Sequence, residues 1–471
     1  MFVKEYHVFV NELPLPLEAA RVSRFPFNRN WPGFQRPLDQ TEVTGFASFD
    51  LAEPSEIRVE CDFDFREVVI RPLSLGITPR IDGRCVTFTL TRPCQTVVEF
   101  DGISGALHLF ADPPEADPVP AENCLYFGPG EHDAGRIILQ SGQTVYIDQG
   151  AVVYGEIYGC DVENVSILGK GILDHSKAEP EVMADGFIDP PRPSPIKIEY
   201  SKNVVIRSIT VRDPFFLAVR PICCENVHID GIKIIGNWRY NSDGIDLLNC
   251  RHALVENCFV RSFDDSFCIK GFASPYASGI YHNGEVYNCA EDIVFRNCVA
   301  FNDWGKALEV GIDLCSKEIK NCRFEHCDVI HAIGPVMDVC NADYAHVHDI
   351  VFSDIRAEYG ETTPKPVIQT SNDAVYDGFD TDFMPPLIHA NVCFFAQYSS
   401  RGERGHIDNL RFENIRVTAP KMPPCEFDGF DEEHGLNHAV VSGLYLNGKA
   451  VTSPEEANFA IGDFARNVTL E

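Results

Sequence analysis

Short runs of alternating apolar and polar residues recur along the chain. Val43-Thr44-Gly45-Phe46-Ala47-Ser48-Phe49 and Ile57-Arg58-Val59-Glu60-Cys61 alternate with a period of two, and Ile81-Asp82-Gly83-Arg84 reads as a turn before Cys85-Val86-Thr87-Phe88-Thr89-Leu90. Alternation with such punctuation predicts a small antiparallel β-sandwich over residues 1–115. The run from Asp112 to Pro120, Asp-Pro-Pro-Glu-Ala-Asp-Pro-Val-Pro, predicts a linker. Linker and cap together occupy 116–139, ahead of a second unit over 140–471.

In that second unit one short strand repeats. Asn164-Val165-Ser166-Ile167, Asn203-Val204-Val205-Ile206, Asn226-Val227-His228-Ile229, Asp292-Ile293-Val294-Phe295, Asn321-Cys322-Arg323-Phe324, Asp349-Ile350-Val351-Phe352 and Asn409-Leu410-Arg411-Phe412 are versions of it, with His252-Ala253-Leu254-Val255 a looser copy. From Ile206 to Phe352 the last residues of successive copies lie 23, 26, 40, 29 and 28 positions apart. The longest step marks an insertion near 272–288, and a further insertion precedes Phe412. A period of about 25 residues with several short β-segments per unit predicts the coils of a right-handed parallel β-helix. The β-branched content and short apolar runs exclude helical repeats. A coil cannot bury its own apolar face, so stacking supplies the core. The corner loops then flank a groove suited to an extended ligand.

Charge narrows the partners. The 471 residues carry 39 Lys and Arg against 70 Asp and Glu, a formal charge of 39 − 70 = −31. Such a surface disfavours a nucleic-acid partner, whose phosphates are held by Lys and Arg. No apolar run reaches the length of a membrane span, and the start of the chain lacks a basic segment followed by an apolar core, so the sequence points to a cytoplasmic protein off the membrane. The 18 cysteines lie mostly in strand-like segments without paired zinc-finger spacing, and are expected to be buried, reduced thiols. No cofactor or metal is expected. Oligomeric state is open.

The stretch that carries chemistry is Tyr240-Asn241-Ser242-Asp243-Gly244-Ile245-Asp246, followed by Ser262-Phe263-Asp264-Asp265-Ser266-Phe267-Cys268-Ile269-Lys270-Gly271. Asp243 and Asp264 are 21 residues apart, close to one coil. Equivalent positions on stacked coils sit about 4.8 Å apart, so these carboxylates are expected to converge on one outer face. Clustered acids repel, which raises the pKa of at least one of them. Glycosidic cleavage needs that split: one protonated carboxyl for the leaving oxygen and one ionised carboxylate for water. Asn-Ser-Asp-Gly alone also reads as a solenoid turn, and Asp246 reads as a solvated neighbour.

These motifs resemble glycoside hydrolase family 28, the polygalacturonase and rhamnogalacturonase family, and the two-part layout resembles dextranase family 49. Asn241-Ser242-Asp243-Gly244 is similar to the family's Asn-Thr-Asp-Gly, and Asp264-Asp265 to its Asp-Asp pair. Gln143-Thr144-Val145-Tyr146-Ile147, Gly150-Ala151-Val152-Val153-Tyr154-Gly155 and Gly169-Lys170-Gly171-Ile172-Leu173-Asp174 resemble its first coils. The resemblance runs over roughly 125–420. It implies inverting hydrolysis of an oligo- or polysaccharide, with Asp264 as general acid and Asp243 and Asp265 activating water. Asn241, Tyr240, Trp304, Lys306, Glu309 and Asp338 are the candidate substrate-binding residues around them.

Two departures shape the expected specificity. Gly305-Lys306-Ala307-Leu308-Glu309-Val310-Gly311 stands where the family has Gly-His-Gly-Leu-Ser-Ile-Gly, so Lys306 replaces a histidine; it either tunes a carboxyl or pairs with Glu309. Val336-Met337-Asp338 stands where polygalacturonases have Arg-Ile-Lys, and Asp338 would repel a uronate. A neutral or partly acidic glycan is therefore expected, with exo action suggested by the compartment and by insertions at 272–288 and 360–405. A polygalacturonase-type hydrolase, a β-helix lyase, epimerase or transferase, and a non-catalytic glycan binder are the alternatives. Trp238, Tyr240 and Trp304 either stack on sugar or pack in the core. His331, His346 and His348 read mainly as surface or turn residues, and the polar and aromatic stretch 31–42 as a segment that either packs on the β-helix or caps the groove.

Overall fold

The computed structural model describes residues 3–24, 38–114, 122–178, 193–271, 280–360, 383–395, 399 and 402–471. Two five-stranded sheets come first. One orders Leu13–Leu15, Tyr6–Val10, Ser55–Cys61, Cys85–Leu90 and Arg80–Asp82, and the other Glu18–Ser23, Thr41–Asp50, Leu107–Asp112, Cys94–Phe100 and Val68–Arg71. Ile57, Val59, Val86, Phe88, Val98, Phe100 and Leu109 share a core between the sheets, which is why their strands alternate. The pairings are antiparallel except that Thr41–Asp50 runs parallel to Leu107–Asp112. The stretch 31–37 and the linker residues 115–121 lie outside the described residues.

A right-handed parallel β-helix follows, its strands joined in one 31-stranded sheet from Cys124–Phe127 to Ala465–Leu470. Its first strands precede residue 140: Cys124–Phe127 pairs with Thr144–Ile147, and Gly130–Ile138 with Ala151–Cys160. Gly130–Ile138 is largely exposed and charged, so it carries no apolar period to announce it. The repeated anchors stack in register. Ile206 pairs with Ile229, then Val255, Phe295, Phe324, Phe352, Phe412 and Val441. The phenylalanines form a stacked ladder, with centroids 5.0 Å apart at Phe295–Phe324, 4.8 Å at Phe324–Phe352 and 5.2 Å at Phe352–Phe412.

The leading Asn or Asp of each anchor turns a corner. Asn164, Asn203, Asn226, Asp292, Asn321, Asp349 and Asn409 all have φ between 53° and 57°, a left-handed conformation that Asn and Asp tolerate best among non-glycine residues. Neighbouring corners are linked: Asn203 Nδ2 donates to Asn164 Oδ1 at 2.9 Å, and Asn226 Nδ2 to Asn203 Oδ1 at 3.1 Å. The insertion near 272–288 contains a hairpin, Ile280–His282 with Glu285–Tyr287, while 272–279 and 361–382 lie outside the described residues.

Each coil presents three strands. The anchor strands form one face. A second contains Lys233–Ile235, Phe259–Ser262, Val299–Asn302 and Asp328–His331, and packs on the sandwich through Ile235, Phe259, Val299, Phe301 and Ile330 against Phe46, Val97 and Phe110. Charged groups are buried there. Arg71 Nε meets Glu99 at 2.9 Å and Arg71 Nη1 meets Glu358 at 2.5 Å; Lys233 pairs with Asp112 and Arg261 with Asp303. His331 is not on the surface: it is buried and bonded to Glu99, because its strand is the one the sandwich covers. His346 and His348 remain part-exposed, on an anchor strand. The third face, with Val219–Ile222, Ile245–Leu248, Phe267–Gly271, Leu308–Leu314, Met337–Asn341 and Ile388–Val392, carries the acids.

Candidate active site

Stacking brings the acids together. Ile245 pairs with Phe267 and Phe267 with Leu308, so the positions just before these strands, Asp243, Asp265 and Lys306, follow one another across three coils. Asp264 sits at the turn entering Phe267–Gly271. A cavity of about 290 Å³ opens there, lined by Asn241, Asp243, Asp264, Asp265, Lys270 and Trp304 among others. The turns are held from beneath. Asn237 Nδ2 donates to the carbonyls of Ser242 at 2.9 Å and Asp243 at 3.0 Å, while Asn302 Nδ2 donates to the Asp264 carbonyl at 2.7 Å. Gly305 is required by space: a Cβ there would lie 2.5 Å from the Asp264 carbonyl carbon.

Two cations organise the carboxylates. Lys270 Nζ lies 3.1 Å from Asp265, 3.3 Å from Asp243 and 3.6 Å from Asp246. Lys306 Nζ lies 3.4 Å from Asp265 and 3.0 Å from Glu309, and its backbone N–H donates to Asp265 Oδ1 at 3.1 Å. Lys306 therefore sits against both Asp265 and Glu309, and Glu309 is fully buried rather than on a coil surface. Asp264 is not within ion-pair distance of either lysine; it accepts hydrogen bonds from the backbone N–H groups of Asn241 and Asp265, each at 3.1 Å.

The three environments drive the acids apart. Burial, then the charges of Asp243 and Asp265, hold the Asp264 carboxyl well above the usual carboxylate range. Burial pushes Asp243 up to about 6 against the pull of Lys270. Burial also opposes the charge on Asp265, but Lys306 and Lys270 outweigh it and hold that carboxyl below its ordinary value. One pocket thus contains a carboxyl biased to keep its proton and a neighbour biased to lose it, the pairing that acid–base catalysis uses.

The surrounding residues sort differently from their sequence reading. Asn241 contributes its backbone to Asp264 and lines the pocket. Tyr240 is buried, edge-on to Phe263 at 5.5 Å and to Trp304 at 5.3 Å, so it packs beneath the site. Trp304 stacks on Phe263 at 5.3 Å and also lines the cavity. Trp238 is buried and donates to Asp213 at 2.9 Å. Glu309 and Asp338 are fully buried, outside the lining of the cavity. Asp246 is not solvated: alternation along Ile245–Leu248 turns it onto the acid-bearing face, but neighbours packed over it, Lys270 at 3.6 Å among them, leave it no exposed surface. Burial and the charge of Asp243 raise its pKa well above normal. Lys270 and the pocket-lining Asp313 were missed; Lys270 was legible in principle, standing 22 residues after the outward Leu248 with which it pairs.

Fold and site together define a parallel β-helix with a compact acidic pocket on one face. The profile of the family described as glycosyl hydrolases family 28 matches residues 136–283, which include Asp243, Asp264 and Asp265. A probable polygalacturonase of Vitis vinifera is 27% identical over 136 residues, covering 28% of this chain and 26% of the relative. A polygalacturonase of Chamaecyparis obtusa is 38% identical over 80 residues, 17% of this chain and 15% of the relative. The chain thus spans about a quarter or less of the length of the curated relatives it matches. Among solved structures, Dex49A from Penicillium minioluteum superposes with a TM-score of 0.67 at 14% identity, covering 99% of this chain and 94% of that one. The sandwich-plus-solenoid architecture is therefore shared over the whole length, and the family 28 likeness lies in the coils that carry the acids.

Proposed function

We propose that the protein is a glycoside hydrolase of the family 28 type, acting with inversion on an oligo- or polysaccharide. What carries this reading is the pocket in which Asp264 is biased towards its acid form while Asp265, 3.1 Å from Lys270, is held as carboxylate. In this mechanism Asp264 protonates the leaving glycosidic oxygen. Asp243 and Asp265 orient the attacking water and take its proton, and bond cleavage is complete without a covalent intermediate. Lys270 and Lys306 keep the water-binding carboxylates ionised.

The substrate we propose is neutral or only partly acidic. Lys270 and Lys306 are both engaged by acids, and Asp338 acts on Lys306 from the next coil, which leaves this side of the pocket poorly matched to a uronate. The names of the curated relatives favour the other reading, a polygalacturonate-type substrate. Exo action is part of the proposal and rests only on the lengths that the sequence inserts at 272–288 and 360–405. A reducing, cytoplasmic setting suits the 18 cysteines, all free.

Incubation with a panel of neutral and uronate-containing oligosaccharides tests this. Reducing ends should appear, proton NMR should show the inverted anomer first, and Asp264→Asn should lower kcat by about 10²–10⁴-fold with an unchanged circular dichroism spectrum. An unsaturated product absorbing in the ultraviolet would make the protein a lyase, and binding without turnover a glycan receptor. Monosaccharide as the sole early product supports exo action.

A further inference from the structure

One cluster of donor atoms on the acid-bearing face takes no part in the proposed reaction. Strands Met337–Asn341 and Ile388–Val392 pair in parallel, with Asp338 beside His389 and Cys340 beside Asn391. Alternation turns Asp338, Cys340 and His389 outward together. Cys393 follows the second strand directly, its N–H bonded to the Asn341 carbonyl at 3.0 Å. The thiols of Cys340 and Cys393 come within 3.5 Å although 53 positions separate them. His389 Nδ1 lies 2.5 Å from Asp338 Oδ1, and one donor atom each from Asp338, Cys340 and His389 all fall within 4.8 Å of one another. Asp338 is fully buried, yet its second oxygen, Oδ2, has no hydrogen-bond partner. A buried carboxylate oxygen left in that state costs free energy unless something positive completes it.

We propose that Asp338, Cys340, His389 and Cys393 bind one divalent transition-metal ion, with zinc the best match. Four ligands at zinc bond lengths place their donor atoms about 3.3–3.8 Å apart; the two sulfurs already satisfy this at 3.5 Å, while His389 Nδ1 and Asp338 Oδ1, 2.5 Å apart, separate to admit the ion. Two thiolates, an imidazole and a carboxylate suit a borderline-soft ion and exclude calcium and magnesium, which take oxygen shells. Binding displaces the thiol protons of Cys340 and Cys393 and the proton shared by His389 and Asp338, with no change of oxidation state. The ligand set carries three negative charges against two on the metal, and the charge of Lys306 acts on Asp338 from the neighbouring coil. Four protein ligands make a closed, structural site. It clasps two rungs across the long insertion between them and fixes Asp338, which stacks on Glu309 beside the pocket. It is distinct from the part-exposed triplet of His346, His406 and Asp408.

The full-length protein, without a histidine tag and isolated under reducing conditions, tests this by metal analysis and by titration with cobalt. About one zinc per chain is expected, and cobalt should replace it with intense thiolate-to-metal absorption and the visible bands of a tetrahedral site. Cys393→Ser and His389→Ala should lose the ion. Cys393→His, which keeps a ligand, should retain it with weaker thiolate absorption, and His406→Ala should leave binding unchanged. The proposal is overturned by cobalt spectra lacking thiolate bands, by retention of stoichiometric metal in Cys393→Ser, or by a Cys340–Cys393 disulfide in freshly isolated protein that takes up no metal. None of these readouts depends on glycan hydrolysis.

Discussion

At Asp243, Asp264 and Asp265, similar side chains are shifted differently in pKa because their cationic neighbours differ. Asp265 lies against both lysines, Asp243 against one, and Asp264 against neither. A pH profile should show the consequence. Asp243 is raised to about 6, so its carboxylate form is lost as pH falls below that value, and kcat/KM should drop on the acid side. On the alkaline side activity should fall as Asp264 gives up its proton. A carbon-13 titration of the aspartates should show a midpoint near 6 that disappears in Asp243→Asn. A profile flat through that region would remove Asp243 from the mechanism. Stability follows the same signs. Asp243, Asp264 and Glu309 have folded pKa values above their unfolded ones, so their contribution is fully present below the unfolded values and is lost as pH rises through the folded ones. Asp265 does the reverse, its contribution being lost on acidification. The motif residues made this cluster legible in sequence. The place of Asp246 was not, since it depends on which way alternation turns each side chain within a strand buried on both sides, whereas Lys270 could have been found from its spacing to Leu248.

The unit of the solenoid is a short strand entered through a left-handed corner. Asn226 has φ of 57° and donates to Asn203 at 3.1 Å. Asn226→Val should cost about 1–2 kcal/mol for the strained backbone, more with the lost hydrogen bond, whereas Asn226→Gly should recover most of the loss. Denaturant titration of the two variants separates backbone strain from the side-chain ladder; equal losses in both would show that the ladder alone matters. The corner also explains why the coils could be counted from sequence: Asn or Asp recurs because the backbone needs it, and Val, Ile or Phe recurs because the interior does. Beyond the insertions that arithmetic fails. Cys268 pairs with Glu309, 41 residues on, and Asp338 with His389, 51 on, so the outward file linking Glu309, Asp338 and His389 could not be assembled without coordinates.

For the whole molecule, the sandwich and the solenoid share buried charge as well as apolar surface. Arg71 reaches from the sandwich to Glu358 of the solenoid while also pairing with Glu99. Arg71→Leu leaves Glu358 buried without its cation and should destabilise by about 3–5 kcal/mol. Calorimetry should show one lowered transition for both parts, whereas two separated transitions would show that they unfold independently. Sequence patterning separated the two parts, but a contact between residues 287 positions apart leaves no local trace.

The spacing of the acids along the axis is set by the rise from one coil to the next, whereas everything at the corners is free to vary in length. A lineage built this way can lengthen, trim or exchange its corner insertions and so change which ligand fits, without moving one proton-handling group relative to another. A single residue gained or lost inside one of the strands between positions 243 and 264 has no such freedom, because it would turn the side chains beyond it to the opposite face. New specificities should therefore arise at the loops while the chemistry stays locked to the pitch of the stack.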